Sequence, residues 1–218
     1  MIGVFIASKA EWNVLLEIYN IADSYLEKYP YGEYYRTNFQ GKDIVFFKGG
    51  VRKVSASAAT EYMINKFDLK KVIVVGTCSA VSDVFDYNDI IIPTKIIDYD
   101  LVIREIAFDI DEGNVIEIDP VNISLDYMDA VLGTSDKALV LWKDLTYLAS
   151  VGIDASDMES YAVCKVCKFH NIDSLVIKGI SDRPMKGETG YDEQLEVYEE
   201  NIPIVMKKII EDYLPEVI

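Results

Sequence analysis

One histidine and three cysteines are all that 218 residues contain, and that scarcity removes several kinds of chemistry at once. A lone His170 cannot build a histidine-rich metal centre, and its distance in sequence from Cys78 makes it a poor base for a cysteine nucleophile. Three cysteines make no disulfide framework. Cys164-Lys165-Val166-Cys167 has C-x-x-C spacing but falls inside a helical apolar stripe, where cysteine acts as a small apolar residue. His170 continues that stripe at the helix end, the place for a packed or dipole-satisfying histidine. No apolar run is long enough to span a bilayer. Positive charge is scarce too: 21 Lys and Arg stand against 37 Asp and Glu, a net charge of −16. Such a chain repels phosphate backbones and anionic lipid surfaces, which argues against nucleic-acid polymers and membranes as partners and leaves a small neutral or cationic ligand.

What is present is an ordinary globular composition, half apolar, of a length that one α/β domain over 1–218 fills with a full core. No linker, repeat or low-complexity segment interrupts it. The N-terminal run Met1 to Ala7 lacks a basic region and leads straight into a helix start, so it reads as a core strand of a cytoplasmic protein. Short β-branched runs alternate with helical stripes. Residues 2–7, 71–76, 89–93, 138–142 and 174–180 read as strands, and 34–39 with 43–48 as a hairpin joined by Gln40-Gly41-Lys42. Helical spacing marks Val14 to Leu26, Val54 to Met63, Met158 to Cys167 and Tyr191 to Tyr213, the last with Pro203 expected to kink or split it. This pattern predicts a three-layer α/β fold: a mixed, mostly parallel sheet flanked by helices. Ligands of such sheets bind beyond the carboxyl ends of the strands, here after Ala7, Gly76 and Ile180.

The polar residues at those ends each have two readings. Glu11 in Ser8-Lys9-Ala10-Glu11 and Glu159 in Ser156-Asp157-Met158-Glu159 both fit a capping box, in which the Glu reaches back to the cap's backbone N–H. They could instead face a pocket, one activating a water and the other binding a diol. Asp182, ahead of Arg183-Pro184, is either a turn residue or a general acid. Gly49-Gly50-Val51-Arg52-Lys53 is either a plain turn or an anion cradle, without the glycine spacing of a dinucleotide or P-loop site.

Taken in order, these segments resemble the nucleoside phosphorylase superfamily, and within it the 5′-methylthioadenosine/S-adenosylhomocysteine nucleosidase branch. The segment from Ile2 to Glu11 is similar to the family's first strand and acidic helix start, and Gly50-Val51-Arg52-Lys53-Val54 to its Gly-Ile-Gly-Lys-Val loop. Thr77-Cys78-Ser79-Ala80 is similar to its Thr-Gly-Ser-Ala turn, while Asp157-Met158-Glu159 and Ile180-Ser181-Asp182 match its two most diagnostic motifs. The resemblance implies a homodimer acting on a nucleoside, with no metal or organic cofactor. It implies that Glu11 activates the attacking water with Ser79 beside it, and that Met158 and Glu159 hold the ribose. It implies that Asp182, supported by Ser181, protonates N7 of the purine, and that Val51 and Tyr191 line the pocket for the 5′-substituent. The residue types suit the reaction. Protonating the purine eases its departure, worth on the order of 10²–10⁴-fold, and water attacks the opposite face of the sugar as in inverting glycoside hydrolysis.

Departures from the family pattern are concentrated in the pocket. Arg52 replaces a loop glycine, Cys78 another glycine, Ala138 an aromatic that stacks on the base, and Lys178 an arginine. Two other functions stay open at this level: a phosphate-dependent phosphorylase, and a nucleoside-binding protein without catalysis. The chain lacks the phosphorylases' Gly-Asp-Pro-x-Arg-like segment and their arginine before the Val-Gly-Thr turn, with Arg52 the one substitute.

Overall fold

A computed structural model describes residues 1–101, 114–140, 142–185 and 190–218. The elements run β1 (Ile2–Ile6), α1 (Lys9–Ile18), β2 (Glu27–Tyr29), β3 (Gly32–Phe39), β4 (Lys42–Lys48), α2 (Lys53–Phe67) and β5 (Lys71–Ala80). They continue with β6 (Ile90–Ile91), β7 (Lys95–Asp98), β8 (Val115–Glu117), β9 (Val131–Thr134), α3 (Trp142–Ser150), β10 (Ala155–Asp157) and α4 (Ser160–Phe169). The chain closes with β11 (Asp173–Asp182), α5 (Gly190–Lys208), a π-helical turn (Ile209–Tyr213) and α6 (Leu214–Val217).

One mixed sheet joins the strands in the order β2-β3-β4-β1-β5-β10-β9-β7-β8, with β11 on β5 and β6 on β11. Its centre is parallel: β1 pairs in parallel with β4 and β5, and β5 with β11. The sequence alternation explains both faces, because successive strand side chains point to opposite sides. Phe5, Val72, Val74 and Val176 pack with Ala56, Met63, Val163 and Cys167 of α2 and α4. Their neighbours Val4, Ile6, Ile73, Val75 and Ile177 pack on the other side with Trp12, Leu15, Val205, Met206 and Ile210 from α1, α5 and the π turn. The three-layer expectation is met. Among the described residues no helix is long and apolar enough to cross a membrane.

Several boundaries differ from the sequence reading. The hairpin turn has two residues, Gln40 and Gly41, both at positive φ (52° and 81°), and Lys42 already pairs with Phe39. That geometry matches the right-handed twist of the flanking strands and suits a glycine at the second position. Residues 138–140 are not a strand, Trp142 opens α3, and Leu141 lies outside the described residues. The helical stripe after α1 stops at Ile18, where Asn20 turns to φ 50°. Pro203 sits inside α5 without splitting it. It lies on the exposed face with Glu199, whose carbonyl it cannot bond, so that carbonyl is on the solvent side. Strands β5 and β11 run past Gly76 and Ile180 to Ala80 and Asp182, because they go on pairing with each other and β5 also pairs with β10. Ser79, Ser181 and Asp182 therefore sit on the last residues of strand rather than in loops after them.

Candidate active site

A cavity of about 260 Å³ opens at the carboxyl ends of β1, β5 and β11. All eight residues singled out from the sequence line it: Glu11, Val51, Ser79, Met158, Glu159, Ser181, Asp182 and Tyr191.

Glu11 closes the capping box and also lines the cavity. Ser8 caps α1 by accepting from the Glu11 backbone N–H (3.1 Å), while Glu11 Oε2 accepts from the Ser8 N–H (2.9 Å). The other oxygen, Oε1, accepts from the Thr77 N–H (2.7 Å) and the Thr77 hydroxyl (2.9 Å) on β5. The capping box thus holds a carboxylate, only 3% exposed, against the neighbouring strand. Gly76 makes room for it: a Cβ there would lie 2.7 Å from Glu11 Oε1 and 3.2 Å from Lys178 Nζ.

Glu159 does not close a capping box with Ser156. Ser156 belongs to β10, and Asp157 serves the start of α4 instead, accepting from the Ser160 N–H (3.1 Å) and from the Ser160 and Thr134 hydroxyls. Glu159 is the N-cap residue itself, and its Oε1 accepts from the Arg52 N–H at 2.9 Å. Arg52 stands at φ 75°, ψ 160°, a backbone region that favours glycine, and its side chain is exposed rather than in the cavity wall. Burial pushes the Glu159 carboxyl up to about 8, with Lys178 pulling it down and Asp157 and Glu11 pushing the same way as burial.

Lys178, 1% exposed, is the buried counter-ion of this acidic floor and pairs with Asp157 at 3.1 Å. Burial alone would lower its ammonium, but Asp157, Glu159 and Glu11 around it outweigh that and hold it raised. In the sequence Lys178 stands out only as a family departure.

A bulge between Ile180 and Asp182 sets the acid side. In regular strand, Ser181 and Asp182 would face opposite ways; the extra residue lets both line one cavity. Asp182 Oδ1 accepts from the Ser181 hydroxyl (2.6 Å), and Oδ2 accepts from the Ser79 hydroxyl (2.8 Å) and from Gln194 Nε2 (2.6 Å). Ser79 thus attends Asp182, and Thr77 is the hydroxyl beside Glu11. Gln194 and Tyr198 on α5 also line the cavity, and the sequence reading does not pick them out. The Tyr198 hydroxyl is pushed up to about 12, first by burial and then by Glu11, with Asp182 also raising it. Helical spacing marks Tyr198 as a core position; the missing signal is its set of neighbours across the sheet.

The remaining candidates lie elsewhere or are inert. Cys164 and Cys167 are buried, and burial raises both thiols. Cys78 borders the cavity, yet burial raises its thiol well above the ordinary range, leaving no nucleophilic thiolate. His170 pairs with Glu61 at 2.5 Å, away from the cavity. Three amides of the Gly49–Lys53 segment are taken: Gly49 N–H goes to the Ile6 carbonyl (3.0 Å), Arg52 N–H to Glu159 (2.9 Å) and Lys53 N–H to Asp136 (2.8 Å). The Lys53 ammonium is held by Asp98 and Asp100, both at 2.9 Å. Among the described residues no Lys or Arg lines the cavity, whereas Glu11, Asp157, Glu159 and Asp182 do. The site repels anions and suits a neutral or cationic ligand.

Comparison with known proteins agrees with this architecture. The sequence is 27% identical over 228 residues to a 5′-methylthioadenosine/S-adenosylhomocysteine nucleosidase of Buchnera aphidicola subsp. Schizaphis graminum, covering 95% of this chain and 92% of the relative. It is 21% identical over 196 residues to the enzyme of that name from Psychromonas ingrahamii, covering 82% and 85%. The fold is shared with an S-adenosylhomocysteine nucleosidase from Streptococcus pyogenes in complex with 5-methylthiotubericidin (TM-score 0.84, 16% identity, 99% and 95% covered). It is also shared with a futalosine hydrolase mutant of Helicobacter pylori strain 26695 (TM-score 0.80, 18% identity, 96% of each chain). The family model described as the phosphorylase superfamily matches residues 1–140 and 129–212, and with that match spanning nearly the whole chain, the protein belongs to the phosphorylase superfamily.

Proposed function

We propose that this protein, as a single domain over 1–218, hydrolyses the N-ribosidic bond of a purine nucleoside, with 5′-methylthioadenosine and S-adenosylhomocysteine as its substrates. The observation that carries the reading is one cavity walled by Glu11 and Asp182, with no cation lining it among the described residues. Phosphate as the attacking group needs cations or a cluster of free amides, and of the loop amides those of Arg52 and Lys53 already bind Glu159 and Asp136. Water needs neither. Glu11, pinned through both oxygens, takes the proton of the attacking water. Asp182, oriented by Ser79, Ser181 and Gln194, protonates the departing purine at N7. Glu159 binds the ribose hydroxyls beside Met158, and Val51 and Tyr191 flank the 5′-substituent at the mouth, where both are substantially exposed. Named relatives with this activity support the substrate, and the resemblance supports a cytoplasmic homodimer in methionine salvage.

The test is turnover of methylthioadenosine by two conservative variants. Asp182→Asn is expected to lose at least about 10²-fold in kcat with its far-UV circular dichroism unchanged. Glu11→Gln is expected to retain ligand binding and lose hydrolysis. Full activity in either variant would remove that residue from the mechanism.

A further inference from the structure

Gln194 reaches from the first turns of α5 into the cavity wall and is 5% exposed. Its amide nitrogen donates twice, to the Leu139 carbonyl at 2.8 Å and to Asp182 Oδ2 at 2.6 Å. Both partners are acceptors, so both amide hydrogens are used and the orientation of the amide is chemically determined. Turned round, its carbonyl would sit 2.8 Å from the Leu139 oxygen whatever the protonation state of Asp182. The carbonyl oxygen Oε1 is left buried, and nothing among the described residues donates to it. A buried acceptor without a donor is destabilising in the free protein, and one carried by a residue that lines the cavity calls for an explanation.

We propose that Gln194 is the specificity-determining residue for the base, its unpaired Oε1 accepting a hydrogen bond from the amino group of a 6-aminopurine. The inference rests on the nucleosidase reading above, in which Asp182 addresses N7. On a purine the 6-substituent is the neighbour of N7, and on the protein Oε1 belongs to the side chain bonded directly to Asp182. A 6-amino group donates there. A 6-oxo group would set oxygen against oxygen, and the amide cannot turn to accommodate it, because Leu139 O and Asp182 Oδ2 hold its nitrogen. Ala138 and Leu139 line the same cavity, and Ala138 brings no polar atom of its own side chain to take over this task.

Equilibrium binding of the free bases tests this separately from catalysis. Adenine, unsubstituted purine and hypoxanthine are titrated calorimetrically into the wild-type protein and into Gln194→Leu and Gln194→Met. The wild type is expected to bind adenine about tenfold to a hundredfold more tightly than hypoxanthine, with purine between. In either variant that ratio is expected to collapse toward one. Equal wild-type affinities for adenine and hypoxanthine would overturn the proposal without any variant, as would a folded variant that keeps the full ratio. Phosphate-free turnover of methylthioadenosine, measured alongside on the wild type, reports on the nucleosidase reading. No turnover with an intact adenine preference would sink that reading and spare Gln194; turnover without the preference would do the reverse.

Discussion

Replacing Gly76 by alanine adds one methyl group where the site is most tightly packed. The new Cβ would stand 2.7 Å from Glu11 Oε1, 3.4 Å from Glu11 Cδ and 3.2 Å from Lys178 Nζ. A comfortable carbon–oxygen contact is about 3.3 Å or more, so the shortfall is roughly 0.6 Å. Glu11 cannot swing aside freely, because Oε1 is held by Thr77 N and Oγ1 and Oε2 by Ser8 N. Either those bonds lengthen or β5 moves. Overpacking of this kind costs about 1–3 kcal/mol, which for a chain of this size lowers Tm by roughly 2–4 °C per kcal/mol. A carboxylate displaced by a good fraction of an ångström is expected to lower kcat on the order of tenfold to a hundredfold, with KM little changed. Gly41→Ala is the control. It sits in the hairpin turn at φ 81° with nothing within 4 Å of the new Cβ, so it should lose about 1–2 kcal/mol of stability and no activity. Initial rates of phosphate-free methylthioadenosine hydrolysis and thermal melts of both variants decide it. A Gly76→Ala protein with wild-type kcat and Tm would refute the claim that Glu11 is held rigidly against β5.

Two further predictions concern the charged floor. Lys178→Met leaves Asp157 and Glu11 without their buried counter-ion, so urea unfolding at neutral pH should show a loss of about 3–5 kcal/mol, shrinking as pH falls and the carboxylates protonate; an unchanged midpoint would contradict the pairing. Glu159 is raised from its ordinary value of 4.5 to about 8 in the folded protein. Between those values the folded state holds a proton that the unfolded state releases, so its contribution is full below about pH 4.5 and is lost as pH rises through 8. Glu159→Gln should flatten the decline in unfolding free energy between about pH 5 and 8, where one bound proton changes stability by about 1.4 kcal/mol for every pH unit; an identical slope in both proteins would show that the burial of Glu159 does not act this way.

Much of this is legible in the sequence because it depends on local pattern. The apolar runs at Val4-Phe5-Ile6 and Val72 to Val75 mark core strands of a sheet flanked by helices, and in the structure their side chains are buried on both faces. The acidic residues stand at strand ends, where α/β sheets bind ligands, and Glu11 is legible twice over, since a capping box at the end of β1 also aims a carboxylate at β5. What escapes depends on contacts distant in sequence. Glu159 meets the Arg52 amide across 107 positions, and Ser79 meets Asp182 across 103. No local pattern could separate these from a capping box or a water ligand. Strand β10, three residues long, is too short to display a period, and Asp157 rather than Ser156 satisfies the helix start after it. Gln194 lies hidden in an acidic helix whose spacing marks only its apolar neighbours, and its significance arises from the Leu139 carbonyl, a backbone atom that side-chain patterns do not reveal.

The choice between water and phosphate as the attacking group is the central claim, and product analysis tests it most directly. Purified protein is incubated with methylthioadenosine, S-adenosylhomocysteine, futalosine, adenosine and inosine, with and without phosphate, and the base and sugar products are separated. Attack by water predicts free base and free sugar at rates indifferent to phosphate. Strict phosphate dependence with a sugar 1-phosphate product would contradict it.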